Sequence, residues 1–173
     1  GGVGHGEVFD EAGIAGRDDA FDRIERIRNG SSSAVRVLDA ACGNLRFERF
    51  LAARYPHVPF AFDAVDSCVE LARLGSDGFS GGDVRFEERD LIGMLLEDPI
   101  SPFSCEDAYD LAVCFGFMHH APGFENRLRL LEAMMRATRP EGFVVATFWQ
   151  FTNDPARAAK ARRDHARLAR YLE

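Results

Sequence analysis

Two phosphate-binding signatures are missing from this chain. It contains neither G-x-G-x-x-G nor G-x-x-x-x-G-K-[ST]. A dinucleotide or a nucleoside triphosphate would want such a turn, because several glycines let backbone N–H groups close on phosphate oxygens. Positive charge is also short. Lys+Arg number 21 against 28 Asp+Glu, a formal net charge of -7, which argues against a broad nucleic-acid-binding surface but not against a local basic patch. The four cysteines, Cys42, Cys68, Cys105 and Cys114, show no CxxC pair and no zinc spacing. They read as free thiols of a reducing, cytoplasmic setting. No apolar run reaches the ~20 residues that span a bilayer, so no membrane is expected. No signal-peptide pattern opens the chain, and there is no internal repeat or long low-complexity tract.

What remains is 173 residues, 46% hydrophobic and 28% charged, the size and make-up of one domain with an ample core. Residues 1–33 read as a flexible start and one helix, in which Phe21, Ile24 and Ile27 recur at helical spacing before Gly30. Residues 34–173 read as the domain proper. Val35 to Ala40 is apolar apart from Arg36 and Asp39, as suits a strand buried on both faces. A small-residue turn follows, and then a helix striped by Phe47, Phe50 and Leu51 and stopped by Pro56.

"VPFAFDAVD" predicts a second strand. Ser67 and Glu70 form an S-x-x-E capping box, so the next helix is expected to start at Ser67 with Val69 and Ala72 inward. After a glycine-rich loop, "VRFEERDL" predicts a third strand. "YDLAVCFGFMHH" predicts a fourth, central because it is strongly apolar. Pro122 opens a long helix with Leu128, Leu131 and Met135 on its buried face, ended by Pro140. "GFVVATFW" is a fifth strand. Asp154 and Pro155 then read as N-cap and first residue of a basic terminal helix. Strand and helix alternate, the mark of a doubly wound, mainly parallel α/β sheet.

In such sheets ligands bind at the carboxyl ends of the strands. Here those ends carry Asp39 with "AACGN", Asp66 or Asp63, Asp90, and "CFGFMHH". Carboxylates repel phosphate but suit ribose hydroxyls, an adenine amine, an ammonium or a sulfonium. That combination fits S-adenosylmethionine.

"VLDAACGN", "AVDSCVELA", "FEERDL", "YDLAVCFGFMHHAP" and "LLEAMMRATRPEGFVVATFW" stand in the order and spacing of class I S-adenosylmethionine-dependent methyltransferases, which this chain resembles over roughly residues 35–149. Within that superfamily it looks most like the methyltransferases of the tRNA wobble uridine and their bacterial relatives, where a strand-end "HH" and a "W" after the fifth strand recur. The resemblance implies a Rossmann-like fold and S-adenosylmethionine as cofactor. It also implies a transferase acting on an oxygen or nitrogen nucleophile, on tRNA or on a small molecule. It places Asp39, Ala41, Gly43, Asn44 and Leu45 in the loop against the methionine part. Asp66, followed by Ser67, stands where the ribose acid belongs; Asp63 is the other candidate. Asp90 and Leu91 match the pair that meets adenine. Cys114 and Phe115 lie where the fourth strand passes the transferable methyl.

Ala41 and Leu45 replace glycines of the usual pattern. Leu45 either narrows the pocket or opens the next helix and packs beneath the cofactor, and a non-catalytic binding or scaffold subunit is the corresponding alternative. His119, His120 and Trp149 are candidates for the substrate pocket. A metal is not expected there, since no third ligand accompanies the histidines. No catalytic base is legible. The arginines of the last helix either lie on a solvated face or meet an RNA backbone. Only about 24 residues follow Trp149, so about five strands are expected without the antiparallel hairpin that usually completes this fold. That leaves the fifth strand as an edge on which a dimer could form.

Overall fold

The computed structural model describes residues 33–97, 103, 108–149 and 153–169, the last five without their side chains. The expected helix around Phe21–Ile27, most of the loop between the third helix and the fourth strand, and Cys105 lie outside them. Five strands form one sheet: β1 (Val35–Ala40), β2 (Phe60–Asp66), β3 (Asp83–Glu88), β4 (Tyr109–Cys114) and β5 (Thr138–Ala146). Their order is β3-β2-β1-β4-β5 and every pairing is parallel. The helices are α1 (Arg46–Arg54), α2 (Val69–Ser76), α3 (Leu91–Leu96), α4 (Gly123–Ala137) and α5 (Pro155–Ala169). No helix among the described residues is long and apolar enough to cross a membrane.

The sheet buries both faces, which is why its inner strands are apolar without alternation. All six residues of β4 are buried. Leu38, Ala40, Val65, Ala112 and Cys114 pack with α3 and α4 through Leu91, Leu95, Leu130 and Met134. Val35, Val37, Phe62, Leu111 and Val113 pack on the opposite face with Leu51, joined by Phe47 of α1. Alternation along β1 thus feeds two core layers from one strand.

Several expected boundaries shift. The third strand ends at Glu88 and the fourth at Cys114, because Asp90 and Gly116 break the extended runs. Leu91, expected as the last residue of the third strand, instead opens α3 over residues 91–96, with Asp90 as its N-cap: the Ile92 N–H donates to Asp90 Oδ1 at 3.0 Å. α2 begins at Val69, and the Ser67–Glu70 capping box does not form. Asp66 has displaced it, its Oδ1 accepting from the Cys68 N–H at 2.8 Å. Pro140 does not end α4. The helix stops at Ala137 and runs straight into β5, an edge strand, where a missing N–H costs no ladder bond.

Two apolar stripes are corrected as well. Phe50 is 45% exposed, and Leu128 and Met135 of α4 are 39% and 63% exposed. α4 instead buries Leu130, Ala133, Met134 and Ala137. Asp154 does cap α5, accepting from the Ala156 and Arg157 N–H groups at 2.8 and 3.1 Å.

A polar line crosses four strands. The Tyr109 hydroxyl donates to Asp63 Oδ2 at 2.7 Å, and Arg85 Nε lies 2.9 Å from Asp63 Oδ1. Arg36 approaches Asp63 to 3.7 Å and lies over the Tyr109 ring. Asp63 is therefore a mid-strand acid with partners. Tyr109→Phe should cost about 1–2 kcal/mol, since Asp63 keeps Arg85 while losing one buried donor. Urea unfolding checks this, and a change below about 0.3 kcal/mol would show that the hydroxyl bond adds nothing net.

Candidate functional site

β1 pairs with β2 on one side and with β4 on the other. The loops after β1 and β4 consequently leave in opposite directions and open a crevice at the carboxyl ends of the strands.

The loop after β1 is tightly wound. Ala41, Gly43 and Leu45 have φ of 71°, 55° and 56°. This is the left-handed region that glycine enters freely, and other residues do so at a cost of roughly 1 kcal/mol or more. Ala41 and Cys42 both donate N–H groups to Val65 O, at 2.8 and 3.1 Å, and Leu45 donates to Cys42 O at 3.2 Å. The Gly43 N–H donates to Asp66 Oδ2 at 2.9 Å. A side chain built on Gly43 would meet nothing within 4 Å, so the loop is open on that side, as is Gly116 after β4. Leu45 does not point into that space. It is 1% exposed and packs with Cys42 and Ala64. The backbone keeps the shape of a glycine loop while the side chain fills the core below.

Asp66, the last residue of β2, anchors both loops: one oxygen takes the Gly43 N–H and the other the Cys68 N–H. Each oxygen keeps a second lone pair for a hydroxyl donor. Asn44, Ser67 and Asp90 are exposed. Leu91, by contrast, is 3% exposed and sits in the core. Cys114 is wholly buried, and burial pushes its thiol up to about 12. Its side chain belongs to the core layer, so only its backbone borders the crevice. Phe115 is half-buried and meets Phe47 edge-on at 4.9 Å.

The substrate-side candidates come together. His119 stacks on Trp149 with ring centroids 4.3 Å apart at 20°, and His120 lies 3.9 Å from His119. Trp149 is 55% exposed, outside β5. Partial burial, then the neighbouring His120, lowers the His119 pKa. The described residues hold no group of three or more potential metal ligands.

Sequence reasoning missed two residues here. Thr147 joins the loops after β4 and β5: the Gly116 N–H donates to its Oγ1 at 2.9 Å, and its own N–H donates to Cys114 O at 3.1 Å. Glu48 of α1 is 0% exposed, and neither of its oxygens has a hydrogen-bond donor. It faces Asp39, itself 2% exposed with Oδ1 likewise undonated. Burial raises both carboxyls, Asp39 well above the usual range and Glu48 to about 7. The one available signal was spacing: Leu45, Glu48 and Leu51 lie three residues apart on the buried side of α1.

An all-parallel sheet whose switch-point crevice is lined by a wound loop and strand-end acids defines a Rossmann-like ligand-binding domain. The family follows from the sequence: residues 37–142 match the methyltransferase domain, and the chain belongs to that family. A curated relative is the malonyl-[acyl-carrier protein] O-methyltransferase of Paenibacillus sp. (strain JDR-2), 27% identical over 101 residues. The match covers 56% of this chain and 34% of that one, so the chain spans about a third of its relative's length. Among solved structures, the S-adenosylmethionine-dependent methyltransferase of Methanosarcina mazei superposes with TM-score 0.56 at 19% identity, over 78% of this chain and 62% of that one. The corresponding protein of Mesorhizobium loti gives 0.51 at 19%, over 70% and 50%.

Proposed function

We propose that the crevice binds S-adenosylmethionine and that the chain transfers its methyl group to a carboxylate oxygen of a small or carrier-bound acid. The observation that carries this reading is the Asp66–Gly43 junction: a strand-end carboxylate fastened to an open, phosphate-free loop at the switch point. The open faces of Gly43 and Gly116 leave room for a ligand backbone, and the acids suit hydroxyl and cationic groups. Asp66 takes the ribose hydroxyls in this reading, with Asp63 engaged instead by Arg85 and Tyr109. Asp90, exposed beside α3, takes the adenine amine. Gly43 and its neighbours Asn44 and Ala41 hold the methionine part, and Phe115 closes the wall near the methyl.

When bound, the cofactor supplies an activated methyl on a sulfonium. The chain's residues then have only to align the acceptor and exclude water, which can supply most of the rate. A carboxylate acceptor carries no proton to remove, so the reaction asks no base of the site. Partial burial and the neighbouring His120 lower the His119 pKa, which favours the neutral imidazole, and its ring can orient an acceptor by a hydrogen bond. The curated relative, a malonyl-[acyl-carrier protein] O-methyltransferase, lends this reading support.

A methyltransferase of the tRNA wobble uridine is the second reading, favoured by the exposed His119–Trp149 stack, which offers a platform for a base. The basic face of α5 gives it weaker support, because Arg157 and Lys160 pair with Asp154 and Asp164. Labelled S-adenosylmethionine with total tRNA, and separately with carboxylic acids and their carrier conjugates, tests both. Label in base-labile ester of the acid fraction is the expected result. Label confined to tRNA, lost steeply with salt, would overturn it. We also propose that a second copy pairs along the β5 edge. Light scattering that finds only monomers at micromolar concentration would reject that.

A further inference from the structure

Glu48 sits on the first turn of α1 with no solvent and no donor, its carboxyl against that of Asp39. Two carboxylates in contact inside a protein cannot both be ionised, because neither has water or a cation to offset the repulsion. Their contact becomes a hydrogen bond only if at least one holds a proton. The pair brackets the wound loop: Asp39 precedes it in β1 and Glu48 follows it by one turn. The other groups facing the pair are Asp66 at the end of β2, Cys42 in the loop and Cys114 at the end of β4, and each senses the Asp39 charge. Asp66 adds negative charge and the two thiols stay protonated, and no cation among the described residues acts on the pair. A helix position such as this is ordinarily filled by an apolar side chain, and a buried acid there is costly to keep.

We infer that Glu48 is a positioning residue of the cofactor site: through a proton shared with Asp39 it places one buried negative charge beneath the loop and so favours a cationic occupant over a neutral one. The inference rests on the cofactor reading above. S-adenosylmethionine carries a sulfonium, whereas its demethylated product, S-adenosylhomocysteine, has a neutral sulfur at that place. The pair is neutral with two protons and singly negative with one. Its first proton leaves near neutrality, with Glu48 at about 7, and the second is harder to remove, because burial and the charge then carried by the pair both oppose it. The negative state is thus gained as pH rises through neutrality, and a bound cation draws it to lower pH. The site would release its used cofactor more readily than it releases the charged one.

Titration calorimetry of both ligands, with wild type and Glu48→Gln, decides this. In the wild type the preference for S-adenosylmethionine over S-adenosylhomocysteine should grow about three- to tenfold between about pH 6 and about pH 8. In Glu48→Gln, which keeps the shape and a hydrogen bond to Asp39 but removes the shared titration near neutrality, the ratio should lose its pH slope. Equal pH slopes in the two proteins, or no slope in the wild type, would overturn the inference. If neither ligand binds the wild type, the cofactor reading fails, and carboxyl carbon-13 resonances of the ligand-free protein still judge the pair. A resonance titrating near neutrality and absent from Glu48→Gln supports it. A Glu48 titration in the ordinary range of about 4 rejects it.

Discussion

Leu45→Gly should destabilise the protein by about 2–4 kcal/mol, although it restores the glycine that the family pattern places there. Three effects compete. Glycine relieves the left-handed strain at φ 56°, a gain of roughly 1–2 kcal/mol. It also gives the unfolded chain more freedom, a loss of roughly 0.5–1 kcal/mol. The largest effect is the removed side chain: Leu45 is 1% exposed, and emptying such a site costs roughly 2–5 kcal/mol for truncation to alanine alone. Packing therefore outweighs strain. The melting temperature should fall by roughly 5–15 °C for a domain of this size. Ala41→Gly is the control, because it relieves a similar strain without emptying the core, and its melting temperature should stay within a few degrees. A rise in Leu45→Gly would mean that strain, not burial, governs the loop.

Asp66→Ala should weaken S-adenosylmethionine binding about tenfold to a hundredfold, from the loss of charge-assisted hydrogen bonds worth about 1.5–3 kcal/mol. The effect has two sources. The carboxylate loses its bonds to ribose, and the Gly43 and Cys68 N–H groups lose the acceptor that fixes both loops. Asp66→Asn, which keeps one carbonyl oxygen, should fall between the two proteins. Asp63→Ala should behave oppositely, lowering stability because Arg85 and Tyr109 lose their partner while affinity holds. Unchanged affinity in Asp66→Ala, with a loss in Asp63→Ala, would move the ribose role to Asp63.

The legible parts of the fold were those where one signal acted alone. β1, β2 and β4 are predominantly apolar runs, broken only by Arg36 and Asp39, by Asp63 and by Asp110, and no helical period competed with that reading. α4 misled because it is apolar on two sides. The expected stripe through Leu128, Leu131 and Met135 satisfies the helical period as well as the one through Leu130, Ala133 and Met134, and only the position of the sheet selects the second, with Leu131 partly buried against it. The Ser67 cap was overridden by a neighbour, since Asp66 offers a charged acceptor to the same turn. At the site, the strand-end acids were legible from their order along the chain. Glu48 was not, because a glutamate in an amphipathic helix reads as solvent-facing, and its burial depends on what packs above it. Thr147 was hidden for a similar reason: its bond to Gly116 spans 31 residues and leaves no local pattern.

The parallel order of the sheet has a consequence for how the chain comes to be folded. β1 lies at the centre, yet its second neighbour, β4, arrives late; the Arg36 N–H finds Asp110 across a separation of 74 residues. At about 5–20 residues per second of synthesis, β1 waits roughly 4–15 s after leaving the ribosome before that pairing can form. Through that interval Val37 and Leu38 have only β2 on one flank and an open ladder on the other. Loop-closure entropy of this kind slows parallel sheets, and it leaves an apolar strand available to other chains meanwhile. Yield from expression should thus respond to slower growth temperature and to chaperone supply more than to additives that stabilise the finished fold.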